Sequence, residues 1–222
     1  MLNEVKGDMY EWVSHTWNTV KGKCPHGCHY CYMKRWGEQK PVRFDAKELK
    51  ANLGAGNFVF VGSSCDMFAD KLPFTWITDT LKHCRKFDAN RYLFQSKNPQ
   101  RIYDMQCYLP KNIVLGTTIE SNRLFEQMGD APHPTVRAKV MRRLRDYRHQ
   151  TIITIEPIMD FDLEDLVGMI TACQPNWVNI GANTNHKVKL VEPVPSKVMD
   201  LIDRLNGVTE VKVKLNLRRL MG

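Results

Sequence analysis

The strongest constraint on this chain is a rhythm. Short runs rich in β-branched and aromatic residues recur at 10–16, 57–62, 91–95, 112–118, 151–156 and 177–181, each of a length that suits a buried strand. Between them lie segments with helical spacing. Residues 45–52 open on the acidic Asp45, and 75–87 carry Trp76, Ile77, Leu81 and Cys84 near one face. Residues 135–150 place Val136, Val140, Met141 and Leu144 together, and 163–173 and 196–205 are similar. Strand and helix alternating about every 30 residues imply a parallel sheet with right-handed crossovers.

Six such units fit in 222 residues, whereas a complete eight-unit barrel takes about 250. The expected fold is therefore α/β, a partial (β/α)6 TIM-like barrel, with an open doubly wound sheet as the alternative that periodicity does not separate from it. The tail, 208–217, alternates as Val-Thr-Glu-Val-Lys-Val-Lys-Leu-Asn-Leu and suits one edge of the sheet. No low-complexity stretch or linker interrupts the pattern, so residues 1–222 read as a single domain.

Polar clusters stand where the strand-like runs end: Gly62-Ser63-Ser64-Cys65-Asp66, Ser96-Lys97-Asn98, Gly116 to Asn122, Glu156-Pro157 and Gly181-Ala182-Asn183. The C-terminal ends of parallel strands form the active face of such architectures. Each cluster taken alone also reads as an ordinary turn.

Just after the first run the chain reads Cys-Pro-His-Gly-Cys-His-Tyr-Cys, placing Cys24, Cys28 and Cys31 on one short loop. Seven cysteines with three crowded together suit metal binding in a reducing compartment better than a disulfide framework. Three thiolates can hold three irons of a cubane cluster and leave the fourth iron open. A Cys3His zinc site using His26 or His29 is the competing reading, although structural zinc sites usually pair two separated ligand couples and no second couple is present.

The octet matches the Cx3CxΦC signature of the radical S-adenosylmethionine (radical SAM) enzymes, with Tyr30 as the aromatic position. With Thr16-Trp17-Asn18, residues 59–63, Asp66-Met67-Phe68, Gly116 with Glu120, Ile155-Glu156-Pro157 and Trp177 with Gly181, the chain resembles an uncharacterised phage-associated family of that superfamily. More distantly it is similar to the spore photoproduct lyases, which repair a thymine dimer in DNA.

That resemblance implies a barrel of the radical SAM type and a [4Fe-4S] cluster on Cys24, Cys28 and Cys31, with S-adenosylmethionine chelating the fourth iron. Reductive cleavage would give a 5′-deoxyadenosyl radical that removes hydrogen from substrate. Ser63 and Ser64 would receive the cofactor's ammonium, with Asp66 adding charge. Lys97 would pair with its carboxylate, and Thr118 and Glu120 would hold the ribose hydroxyls. Tyr30 and Tyr32 would pack on the adenine or shield the cluster, and Glu156 joins the same rim. Cys65 stands where a lyase cysteine returns a hydrogen atom to the product radical, against the plainer reading of a small buried thiol. The resemblance also implies a flavodoxin or ferredoxin as reductant.

The net charge of +8 makes an anionic partner plausible, and Arg137, Lys139, Arg142, Arg143, Arg145 and Arg148 crowd one helical segment. Such a segment is as readily a solvated outer face. A DNA or nucleotide substrate, a protein or peptide matured by radical chemistry, and a non-catalytic zinc-stabilised nucleic-acid-binding module remain the three functional readings. No run of about 18 apolar residues suggests a membrane span, and the start lacks a secretory pattern, so a cytoplasmic location is expected.

Overall fold

The computed structural model describes residues 1–7 and 9–222. The strands are β1 (Asn3–Glu4), β2 (His15–Trp17), β3 (Val20–Lys21), β4 (Arg43–Phe44), β5 (Phe58–Val61), β6 (Arg91–Gln95), β7 (Ile113–Thr118), β8 (Gln150–Ile155), β9 (Trp177–Ile180) and β10 (Glu210–Val213). The α-helices are α1 (Phe74–Arg85), α2 (Pro99–Asp104), α3 (Pro134–Asp146), α4 (Leu163–Cys173) and α5 (Pro195–Asn206). No helix among the described residues is long and apolar enough to cross a membrane.

The main sheet runs β1-β2-β5-β6-β7-β8-β9-β10. Every pairing from β2 to β10 is parallel, and only β1 is antiparallel. Its order follows the chain without reversal. A doubly wound sheet reverses direction at a switch point, so that alternative is excluded. The α/β class with a parallel sheet is as expected, while the barrel character of the partial (β/α)6 expectation is not established: β1 and β10 are the two edges and do not pair with each other. The result is a mostly parallel sheet with the unidirectional winding of a barrel but without its closure. The tail behaves as expected, adding β10 in parallel beside β9.

Successive side chains along a strand face opposite ways, and the two faces are used differently. Val59, Val61, Tyr92, Phe94, Leu115, Ile153, Ile155, Val178 and Ile180 pack under the helices with Ile77, Leu81, Val140, Leu144, Ile170 and Leu201. Phe60, Leu93, Val114 and Ile152 form a second core on the other face, covered by Tyr10 and Val13. Trp12 joins that cover, its ring 5.1 Å from Tyr10 and 5.1 Å edge-on to Trp177.

That cover explains a misplaced boundary. The run 10–16 reads as a strand, yet pairing begins only at His15; Tyr10, Trp12 and Val13 are apolar because they plug the inner face. Two further corrections concern helices. Residues 45–52 form only a 3-10 turn, Ala46–Lys50, with Asp45 accepting from the Lys47 amide. On α3 Val136 is half exposed, and Arg137 takes its place on the buried stripe with Val140, Met141 and Leu144.

Leu93 is fully buried on the inner face. Leu93→Ala is expected to lower stability by about 2–5 kcal/mol through lost burial and a residual cavity, read as a shift in the urea midpoint at unchanged slope.

Candidate active site

The loop from Cys24 to Cys31 leaves β3 and lies across the C-terminal ends of the sheet. Tight turns shape it: the Gly27 amide donates to the Cys24 carbonyl at 3.1 Å and the Cys31 amide to the Cys28 carbonyl at 3.3 Å. The segment after β7 clamps it from outside. His29 N donates to Gln127 O at 2.9 Å, Asp130 N to His26 O at 2.8 Å, and Cys28 Sγ to Met128 O at 3.2 Å. Gly129 sits in the left-handed region (φ 63°), and a Cβ there would lie 2.2 Å from the His26 carbonyl oxygen. Only glycine permits this approach.

Below the loop a cavity of about 470 Å³ opens at the strand ends. Cys24, Cys28, Cys31, Tyr30, Tyr32, Ser63, Ser64, Cys65, Asp66, Lys97, Thr118 and Glu156 all line it, so side chains from the loop and from four separate strand ends meet in one space. Glu120 alone of the expected set lies outside the lining.

Glu120 is fully buried behind Tyr30 and Lys97. Its Oε2 accepts from Arg137 Nη1 at 2.9 Å, and its Oε1 accepts from Tyr30 at 2.8 Å, Thr118 at 3.0 Å and Lys97. With its oxygens so occupied Glu120 lies within the wall rather than on the cavity surface, and one of the cations that claim it comes from α3. Burial acts to raise this carboxyl, but Arg137 and Lys97 outweigh it and hold it well below the usual carboxylate range.

Asp66 is similarly engaged. Its Oδ2 accepts from His26 Nε2 at 2.8 Å, Ser96 Oγ at 2.9 Å and the Lys97 amide at 2.8 Å. Burial opposes its ionisation, while His26 and these hydrogen bonds hold the carboxyl low. Glu156 accepts from Lys214 Nζ at 2.9 and 3.0 Å and from Asn216 at 2.8 Å. Tyr32 donates to Ser63 O at 2.6 Å, and Asn18 Oδ1 receives the Ser64 amide at 2.9 Å. Cys24 and Cys65 interact, which pulls the Cys24 thiol below its ordinary value and pushes that of Cys65 up. Burial raises Cys28 and Cys31.

His26 is buried with its Nε2 2.8 Å from Asp66, and His29 is exposed on the outside of the loop. A single zinc would draw its ligands to about 2.0–2.3 Å, whereas a cubane takes each cysteine on a separate iron. Three cysteines on the cavity wall fit the cluster.

Several lining residues escaped the sequence reading. Tyr10 donates to Gln95 Oε1 at 2.9 Å on the cavity floor, and Lys214 arrives on the residue after β10. Their neighbours in sequence carry no local sign of this role. Arg137 did leave a sign, being a charge on an apolar stripe.

A parallel sheet wound in one direction, with a cysteine loop over its C-terminal edge, has counterparts among solved structures. Spore photoproduct lyase, a radical SAM enzyme, superposes in two variant structures with TM-scores of 0.66 and 0.64, at 10% and 9% identity, covering 93% of this chain and 78% of each lyase chain. A variant with bound AdoMet and dinucleoside spore photoproduct gives 0.56 at 10% identity, covering 91% of this chain. There the chain spans 64% of the lyase's length, under two thirds. At such identity the likeness is one of fold. Residues 8–199 match the family described as "Protein of unknown function (DUF5131)", and the chain belongs to it. No curated protein sequence matches.

Glu120→Gln leaves two buried cations without their carboxylate and is expected to cost about 3–5 kcal/mol at pH 7. The native carboxyl titrates below its ordinary 4.5, so its contribution is complete above that pH and is lost as pH falls toward the folded value. Denaturant titrations at pH 7 and pH 3 should show the gap between wild type and variant shrinking in acid.

Proposed function

We propose that this protein is a radical SAM enzyme whose Cys24, Cys28 and Cys31 hold a [4Fe-4S] cluster. The observation that carries the reading is the convergence of these three cysteines with Lys97, Ser63, Ser64 and Thr118 on one cavity at the C-terminal ends of parallel strands. When bound, the cluster and S-adenosylmethionine supply reductive cleavage to methionine and a 5′-deoxyadenosyl radical able to take hydrogen from a substrate.

The chain's own residues bind and orient. Lys97 presents an ammonium to the cofactor's carboxylate, and the Ser63 and Ser64 oxygens receive its amino group. Thr118 serves the ribose side, without Glu120, which instead anchors Lys97 and Tyr30. Tyr30 and Tyr32 form the wall beside the cysteines, and the Tyr32 hydroxyl fixes the Ser63 carbonyl. Cys65, buried on that wall, returns a hydrogen atom to the product radical.

The substrate is DNA or a nucleotide-containing molecule. Lys6, Lys23, Lys34 and Arg35 are exposed along the cavity rim, while the carboxylates of the described lining, Asp66 and Glu156, are paired with His26 and Lys214. Trp36, 66% exposed beside them, offers a stacking surface for a base. On the arginine-rich α3, Arg137 is buried, Arg142 pairs with Asp146 and Arg143 stacks on Tyr103, and none of these three lines the cavity. A flavodoxin or ferredoxin is the proposed electron donor.

Anaerobic protein reconstituted with iron and sulfide, then reduced and given S-adenosylmethionine, should form 5′-deoxyadenosine. The Cys24→Ala, Cys28→Ala, Cys31→Ala variant should form none; equal yield from both would exclude the proposal. Cys65→Ala should keep 5′-deoxyadenosine formation and change the product released from a DNA substrate. An unchanged product would remove Cys65 from the reaction.

A further inference from the structure

Arg137 is a cation with no solvent exposure. Its Nη1 donates to Thr118 O at 2.6 Å and to Glu120 Oε2 at 2.9 Å, and its Nε donates to Pro132 O at 2.8 Å. Its Nη2 lies 3.9 Å from Met128 Sδ, in the segment that clamps the cysteine loop. One guanidinium therefore reaches the end of β7, the carboxylate behind the cavity wall and the seat of the loop.

Two cations share the single Glu120 carboxylate, because Lys97 pairs with the oxygen opposite to the one Arg137 takes. The group of three carries one net positive charge. Of its members only Lys97 reaches the cavity, with its side chain 16% exposed, and its ammonium donates to Tyr30 Oη at 2.9 Å. The other carboxylates of the described lining are already engaged: Asp66 is held by His26, and Glu156 by Lys214. Cys28 and Cys31 line the same cavity as this ammonium. A partly buried surplus charge is costly unless an anion meets it.

We propose that Arg137 is a positioning residue: by neutralising Glu120 from behind, it leaves the Lys97 charge free for the carboxylate of S-adenosylmethionine. This rests on the cofactor reading given under the proposed function. Without Arg137, Lys97 and Glu120 close into a neutral pair and the attraction for an anion is lost. Removing the Glu120 charge as well gives the surplus back.

The test compares binding of S-adenosylmethionine and of its decarboxylated analogue, which lacks only the carboxylate. Dissociation constants are measured on anaerobically reconstituted wild type, Arg137→Gln and the double variant Arg137→Gln, Glu120→Gln, with melting curves to confirm folding. Arg137→Gln should weaken S-adenosylmethionine about tenfold or more, the scale of a charged hydrogen bond, and leave the analogue little changed. The double variant should recover most of the lost affinity. Equal losses for both ligands, or a double variant weaker than the single one, would make Arg137 a structural residue and overturn the proposal. If Arg137→Gln does not fold, Arg137→Lys keeps the charge and should keep the preference for S-adenosylmethionine; a folded Arg137→Lys without that preference overturns it equally. Wild-type protein that binds neither ligand would remove the cofactor reading, and the Arg137 assignment with it.

Discussion

Glu120 is a carboxylate shared by two cations, and the layers of the molecule meet through it. Behind it stands Arg137, from the helix that packs on the outer face; in front stand Lys97 and Tyr30, which form cavity wall. A buried ion pair is weak evidence for stability because desolvation offsets much of its attraction. Its value here is geometric. The pair fixes where Lys97 sits relative to the cysteine loop, and the same guanidinium touches the segment on which that loop rests. Wall and loop thus share a contact through this guanidinium, beside the backbone clamp that holds the loop itself.

The sheet explains how so short a chain encloses a site. Unidirectional winding puts the crossovers on one face and leaves the other to be covered by something else. Residues 10–13 do that at the lower end, where Phe60, Leu93, Val114 and Ile152 are apolar. Further along the same face the side chains turn polar, as Gln95, Thr118, Thr154 and Glu156, and there the cavity begins. The cysteine loop roofs it, with Gly129 giving the clamp its close backbone approach. A polar floor and a sulfur-bearing roof thus come from one alternation of residues along parallel strands.

Much of this was legible in the sequence. The runs at 57–62, 91–95, 112–118, 151–156 and 177–181 coincide with β5 to β9 to within a residue or two, because strands buried on both faces leave continuous apolar stretches. The rim clusters are legible for the same reason: parallel strands end on one edge, so the residues just beyond each strand share that edge. The features that were not legible depend on contacts between distant residues. Tyr10, Trp12 and Val13 are apolar to plug a face, which looks like a strand in one dimension. Glu120 reads as a ligand-binding carboxylate until Arg137 is seen to claim it. Arg137 reads as one of six surface cations, although its spacing from Val140, Met141 and Leu144 places it on the buried stripe. Lys214 reaches the cavity only because β10 pairs in parallel with β9. The openness of the sheet was not legible either, since whether the edge strands pair leaves no periodic mark.

The central claim is that Cys24, Cys28 and Cys31 carry a cluster with one iron open to S-adenosylmethionine. Electron paramagnetic resonance of the anaerobically reconstituted, reduced protein tests it most directly, with and without the cofactor. The account predicts a [4Fe-4S]+ signal whose g-values shift when S-adenosylmethionine is added. A colourless, zinc-containing protein, or a cluster signal indifferent to the cofactor, would contradict it.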